Sequence, residues 1–150
     1  MDQVFAAHHP REGVALAQQL AEGCERSREV AFGLAELITN GIEHGNLGLG
    51  FALKCQLLSA GRFESELARR LADRPDSRVL VTVTRLPDLV RFVVEDQGGG
   101  FDWRPWLRPD PARASAPNGR GIALARDTCF ASLNYRAPGN VVEALAVRAA

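Results

Sequence analysis

The sequence predicts an α+β fold, a two-layer sandwich of helices on a mainly antiparallel mixed sheet. Three observations predict it. Helix-patterned segments fill the first half of the chain, and runs rich in Val and Thr gather in the second. Those runs come in two pairs, each joined by turn residues, as hairpins are. Strands do not alternate singly with helices, so a βαβ series with a parallel sheet is not expected.

The elements follow in order. "REGVALAQQLAEGC" places Val14, Leu16, Ala17, Leu20 and Ala21 at helical steps, with Gly23 as a stop. Ser27, with Glu29 behind it, is expected to start a second helix running to about His44. Its buried stripe is Val30, Leu34, Leu37, Ile38 and Ile42. "GNLGLG" is a glycine-rich break. "LKCQLLSAG" predicts a short helix. "RFESELARRLADRPD" predicts a better one, aligning Phe63, Leu67 and Leu71 against a polar opposite face. "RVLVTVTRL" and "LVRFVVED" read as an antiparallel hairpin turning at "PD", covered by helices on one face. "GIALARDTCF" returns to helix, and "SLNYRA" and "VVEALAVRA" form a second hairpin around Pro138, Gly139 and Asn140. Residues 103–118, "WRPWLRPDPARASAPN", carry four prolines, three arginines and no helical period, the composition of a functional lid or a disordered loop.

Bulk composition narrows the function. At 150 residues the chain fits one domain, 1–150, able to bury roughly two-thirds of its unfolded surface. Lys+Arg 18 against Asp+Glu 18 gives zero formal net charge, which argues against a coat for nucleic acid or anionic lipid. Lys54 is the single lysine. Cys24, Cys55 and Cys129 are odd in number and lack C-x-x-C spacing, so they read as small hydrophobes in a reducing compartment. The start "MDQVFAAHHPREG" has no basic segment followed by an apolar run, and no apolar stretch approaches the roughly 20 residues of a membrane span. A cytoplasmic protein without a direct nucleic-acid or membrane partner is expected.

The second helix raises the functional question. Phe32, Glu36, Asn40 and His44 are spaced four apart, so a carboxylate, an amide and an imidazole share one stripe. Glycines stand beside it at 33, 41 and 45. Further on, the strand "LVRFVVED" exits into "DQGGGFD", with Asp96 followed by Gly98, Gly99 and Gly100. Such glycines let a backbone approach a ligand closely. After residues 103–118 comes "NGRGIALAR", where Gly119, Arg120, Gly121 and Ile122 open a helix whose free N–H groups and dipole suit phosphates. Each motif alone is weak; their order is specific.

That order resembles the GHKL superfamily of ATP-binding domains, which includes gyrase, the MutL proteins and histidine kinases and has the Bergerat fold. Within it the chain is similar to the compact anti-sigma-factor serine/threonine kinases and their relatives in bacterial response-regulator systems. "ELITNGIEHGN" is similar to the N box, "DQGGGFD" to the first glycine box and "GRGIAL" to the second, so the resemblance covers almost the whole chain. It implies ATP and Mg²⁺ as cofactors. Asn40 matches the magnesium ligand, Glu36 the general base and Asp96 the acceptor for the adenine amino group. Gly98 and Gly100 match positions that let the base pack close. Gly119, Arg120, Gly121 and Ile122 border the phosphates under a lid at 103–118. His44 matches a common histidine, placed near the phosphates or in a capping contact. Lacking the heptad-patterned dimerisation helix of a histidine kinase, the chain is expected to phosphorylate another protein, a STAS-domain anti-anti-sigma factor. A sigma factor or response regulator is a further implied partner, and a homodimer an implied assembly.

Departures from the pattern are visible. "PGNVV" puts Asn140 where the family often has Thr near the adenine, and the run "FALKCQLLSAGRFESELARRLADRPD" is longer than in the shortest kinases of the group. A second reading from another class is an ATP-binding module without turnover that sequesters a sigma factor or other regulator. His8 and His9 form an unsupported pair with no metal or phosphoacceptor role expected, and "EHGN" lacks zinc-protease spacing. Trp103 and Trp106 are expected to anchor their loop to the domain.

Overall fold

The computed structural model describes residues 1–107 and 121–150. The chain opens with strand β1 (Asp2–Ala7), then helices α1 (Pro10–Ala21) and α2 (Ser27–Asn40). Helix α2 runs on without a break into a π-helical turn, Gly41–Asn46. Helices α3 (Phe51–Ser59) and α4 (Phe63–Asp73) precede the hairpin of β2 (Val79–Arg85) and β3 (Leu89–Glu95). After a 3-10 turn at Arg104–Leu107, α5 (Gly121–Leu124) continues as a second π-helical turn, Ala125–Cys129. The hairpin of β4 (Ser132–Arg136) and β5 (Val141–Val147) closes the chain.

The five strands form one sheet in the order β1-β2-β3-β5-β4, and every described pairing is antiparallel. The expected two-layer α+β arrangement is present. The expected mixed sheet is not: β3 pairs with β5 across the two hairpins, also antiparallel. Strand β1 was not anticipated, and it pairs with β2 at one edge. Burial alternates along β2, β3 and β5, which places Val81, Val83, Phe92, Val94 and Ala144 on the covered face. The other face carries polar groups, including Arg91 in an ion pair with Glu143 at 2.8 Å.

The α2 stripe of Leu34, Leu37, Ile38 and Ile42 buries fully against that sheet, joined by Ala17 and Leu20 of α1. Truncating a residue as enclosed as Phe92 costs about 3–5 kcal/mol, because the site cannot fully collapse. Cys24 and Cys129 are buried within this core, whereas Cys55 is half-exposed. Ser27 is the first helical residue of α2 rather than its cap; Arg26 precedes it and makes no side-chain cap bond. His9, by contrast, caps α1. Its Nδ1 accepts the Arg11 N–H at 3.0 Å, while Glu12 Oε1 accepts the His9 N–H at 2.8 Å, a reciprocal capping box. No described helix is long and apolar enough to cross a membrane.

Helix α4 closes the far end of α2. The guanidinium Nη1 of Arg70 donates to the Leu47 carbonyl at 2.8 Å, and that of Arg74 to the Asn46 carbonyl at 3.1 Å. These carbonyls end a helical segment and have no partner within it, so cations there satisfy both the hydrogen bonds and the dipole.

Candidate functional site

A cavity of about 670 Å³ lies between the C-terminal half of α2, helix α3 and the ends of β3 and β5. The stripe predicted on α2 faces it: Phe32, Glu36, Asn40 and His44 all line the wall. The π-helical turn that follows Asn40 adds a residue to the local repeat, a distortion that concentrates at functional sites.

Asp96 leaves β3 into the same cavity and is fixed on every side. Its N–H donates to the Asn140 carbonyl at 3.0 Å, and the Asn140 amide donates back to the Asp96 carbonyl at 3.2 Å. The carboxylate Oδ1 accepts the Gly98 N–H at 2.7 Å. A Cβ on Gly45 would collide with that carboxylate, so glycine is what lets the π-helical turn pass over it. Asn140, at the departure noted in the sequence, thus takes a backbone-bracing role beside Asp96 and also lines the cavity.

The glycine boxes divide. Gly100 lines the cavity with φ +91°, and a Cβ there would strike the Pro138 carbonyl of the β4–β5 turn. Gly98 does not line it. A Cβ at Gly98 would meet the Gly45 carbonyl, so its smallness serves helix-to-loop packing rather than approach to a base. Gly33 also answers to protein: a Cβ there would lie 2.6 Å from Cys129 Cβ, so its smallness admits the segment after α5. Gly121 and Ile122 line the cavity, and Gly121 sits against the Glu36 carboxylate, with no space for a Cβ. Gly119 and Arg120 lie outside the described residues, as do residues 108–118 of the expected lid. Of its start, Trp103 stacks on Tyr135 with ring centroids 5.7 Å apart, and Trp106 meets Phe51 edge-on at 5.2 Å. Both tryptophans therefore anchor the segment, as expected.

Burial sets the protonation of the cavity's acids and its histidine. It raises the Glu36 carboxyl, with Lys54 opposing and Glu43 adding to the shift. It raises Asp96 likewise, against the Gly98 N–H. It lowers His44, which favours the neutral imidazole. His44 Nδ1 donates to the Leu49 carbonyl, the capping contact that was one of its two expected roles, and this leaves Nε2 as an acceptor. Among the described residues, neither the Glu36 carboxylate nor the Asn40 amide has a hydrogen-bond partner. These two groups on a cavity wall can accept from, or coordinate, whatever enters.

Two lining groups, Tyr135 and Lys54, and the buried partner of Lys54, Glu43, had no role assigned from the sequence. Tyr135 faces the cavity near Asp96; burial first, then the Asp96 charge, pushes its phenol well up. Glu43, only 3% exposed, takes a 2.5 Å ion pair from Lys54, and Lys54 lines the cavity. Signals existed for Lys54 and Glu43: Lys54 is the single charged residue of α3, and Glu43 falls beside the apolar stripe of α2.

The fold and cavity define an α+β protein whose helix layer and sheet ends enclose a cleft lined by acid and amide groups, of which Glu36 and Asn40 have no hydrogen-bond partner among the described residues. No protein-family model matches the chain, and no curated protein matches it significantly. What the cleft can do follows from its own geometry.

Proposed function

We propose that the chain binds Mg·ATP in this cavity, within a Bergerat-type fold. It acts there as a serine/threonine protein kinase of the anti-sigma-factor type. Its acceptor is a STAS-domain anti-anti-sigma protein in a bacterial partner-switching system, in the cytoplasm. One observation carries the proposal. Glu36 and Asn40, Asp96, and Gly121 with Ile122 come from three segments far apart in sequence and line a single cavity of about 670 Å³. That volume lies within the range of small-molecule and cofactor sites, ~300–1,000 Å³.

The side chains suit the roles. Asp96, held by the Gly98 N–H and by both backbone bonds to Asn140, presents a fixed acceptor for an amino group. Asn40 offers an amide oxygen with no competing partner among the described residues, the hard donor Mg²⁺ prefers when phosphates and water supply its other ligands. Bound there, the ion would neutralise phosphate charge. Glu36 lies one helical turn before Asn40, and burial raises its carboxyl, so its affinity for a proton is higher than that of an exposed glutamate. It takes the proton of the acceptor hydroxyl as that oxygen attacks the γ-phosphorus and the bond to the ADP oxygen breaks.

Calorimetric titration with a non-hydrolysable ATP analogue and Mg²⁺ tests the binding half. No affinity at millimolar concentration would end the proposal. Radiolabelled transfer to a STAS-domain protein tests the second half. Binding without phosphorylation of any acceptor would leave a regulatory nucleotide-binding module instead of a kinase.

A further inference from the structure

Lys54 stands on α3, outside every motif used so far, yet its side chain lines the cavity. Its ammonium is 2.5 Å from Glu43 Oε1 and 5.0 Å from the centre of the Phe63 ring. An ammonium has three donors, and these two neighbours account for two directions. Lys54 is the only Lys or Arg among the described residues lining the cavity, whose wall also carries Glu36 and Asp96. His44 beside it is held toward its neutral form by burial. A triphosphate in such a cavity has this single described lysine or arginine to meet.

The position along the cavity is also informative. Lys54 acts electrostatically on Glu36, whereas Asp96, Asn140 and Tyr135 gather where the strands end. The cation therefore stands on the same cavity wall within electrostatic reach of Glu36, the group proposed to act at the transferred phosphoryl. The pair with Glu43 keeps a long, rotamer-rich side chain ordered before any ligand arrives, which lowers the ordering cost of contact.

Building on the nucleotide-binding proposal, we propose that Lys54, ordered by Glu43, is the residue that binds the terminal phosphate and so makes the cavity prefer a nucleoside triphosphate over a diphosphate. Phosphate takes the remaining donor while the Glu43 bond persists.

The test compares a non-hydrolysable ATP analogue, ADP and adenosine by calorimetry. The proteins are the wild type and the double variant Glu43→Gln/Lys54→Gln, in which a neutral amide pair replaces the ion pair and no charge is left buried. The double variant is expected to lose about tenfold or more in affinity for the triphosphate, while ADP stays within about threefold and adenosine within about twofold; an equal loss for ADP overturns the preference. A purely structural lysine predicts no selective loss; equal triphosphate affinity in the two proteins overturns the proposal. Failure of the wild type to bind any of the three ligands removes the nucleotide-binding proposal and this one together, an outcome distinct from the former. A second arm needs no variant: wild-type protein is treated with an ATP acyl phosphate. The ε-amine attacks the acyl carbon, forming an amide and releasing ATP. Acylation of Lys54 that excess ATP blocks supports the assignment; an unmodified Lys54 overturns it.

Discussion

Replacing Asp96 by Asn tests the floor of the cavity without disturbing its shape. The amide is isosteric, so its oxygen can keep the 2.7 Å bond from the Gly98 N–H, and Gly45 still leaves room for the group. The second carboxylate oxygen becomes an NH₂ donor. An adenine amino group placed there loses a charge-assisted acceptor worth about 1.5–3 kcal/mol and meets a donor instead. Taking about 3 kcal/mol for the two effects together, affinity for an ATP analogue should fall by roughly 150-fold. An inosine analogue, with a carbonyl in place of the amino group, should lose less or gain, so the ratio of the two affinities shifts. Burial already disfavours the ionised carboxylate, so the variant should not melt lower than the wild type at neutral pH. Calorimetry with both analogues, beside a thermal melt, reads all three quantities. A folded Asp96→Asn protein that binds the adenosine analogue within about threefold of wild type, with no change in base preference, would refute the placement of the base at Asp96.

Further expectations concern the helix and its cap. Glu36→Gln should reduce phosphoryl transfer by at least ~10²-fold while leaving the ATP-analogue affinity within about threefold, measured by transfer kinetics and calorimetry. The same variant has a stability signature. A carboxyl raised in the folded state weakens folding as pH climbs from its unfolded value through its folded one, so Glu36→Gln should melt higher than wild type above that window and lose the advantage below it. Melting curves across pH 3–8 on a roughly one-unit grid would show the crossover. Asn40→Ala should weaken binding only when Mg²⁺ is present, so titrations with and without EDTA should converge in the variant. His9→Ala removes the acceptor of the Arg11 N–H and should cost about 1 kcal/mol, lowering the melting temperature by roughly 2–4 °C.

The fold was legible wherever one face of an element meets the core. The alternation in β2, β3 and β5 and the α2 stripe both survive in the structure, because burial on one face imposes a period. Strand β1 was not legible. "DQVFAA" is short, mostly exposed and at the sheet edge, and only its register with β2 makes it a strand. His9 escaped as a cap since histidine is not among the usual capping residues. The π-helical turn leaves no mark in a pattern of apolar steps. At the site, Glu36, Asn40 and His44 were visible because a helix brings every fourth residue together. Lys54 and Glu43 are eleven positions apart on different helices, and only packing joins them. Sequence also could not tell which neighbour each glycine answers to: Gly98 and Gly33 yield to protein, Gly100 to the β4–β5 turn at the cavity edge.

The excursion through α3 and α4 looks, along the chain, like a removable insertion between the α2 run and the sheet. Its contacts say otherwise: Arg70 and Arg74 grip the carbonyls that finish the helical run, and Lys54 neutralises the buried Glu43. Excising it to shorten the domain would strand two main-chain acceptors and one enclosed charge, so a minimal version of this protein has to keep both helices or redesign the turn they hold.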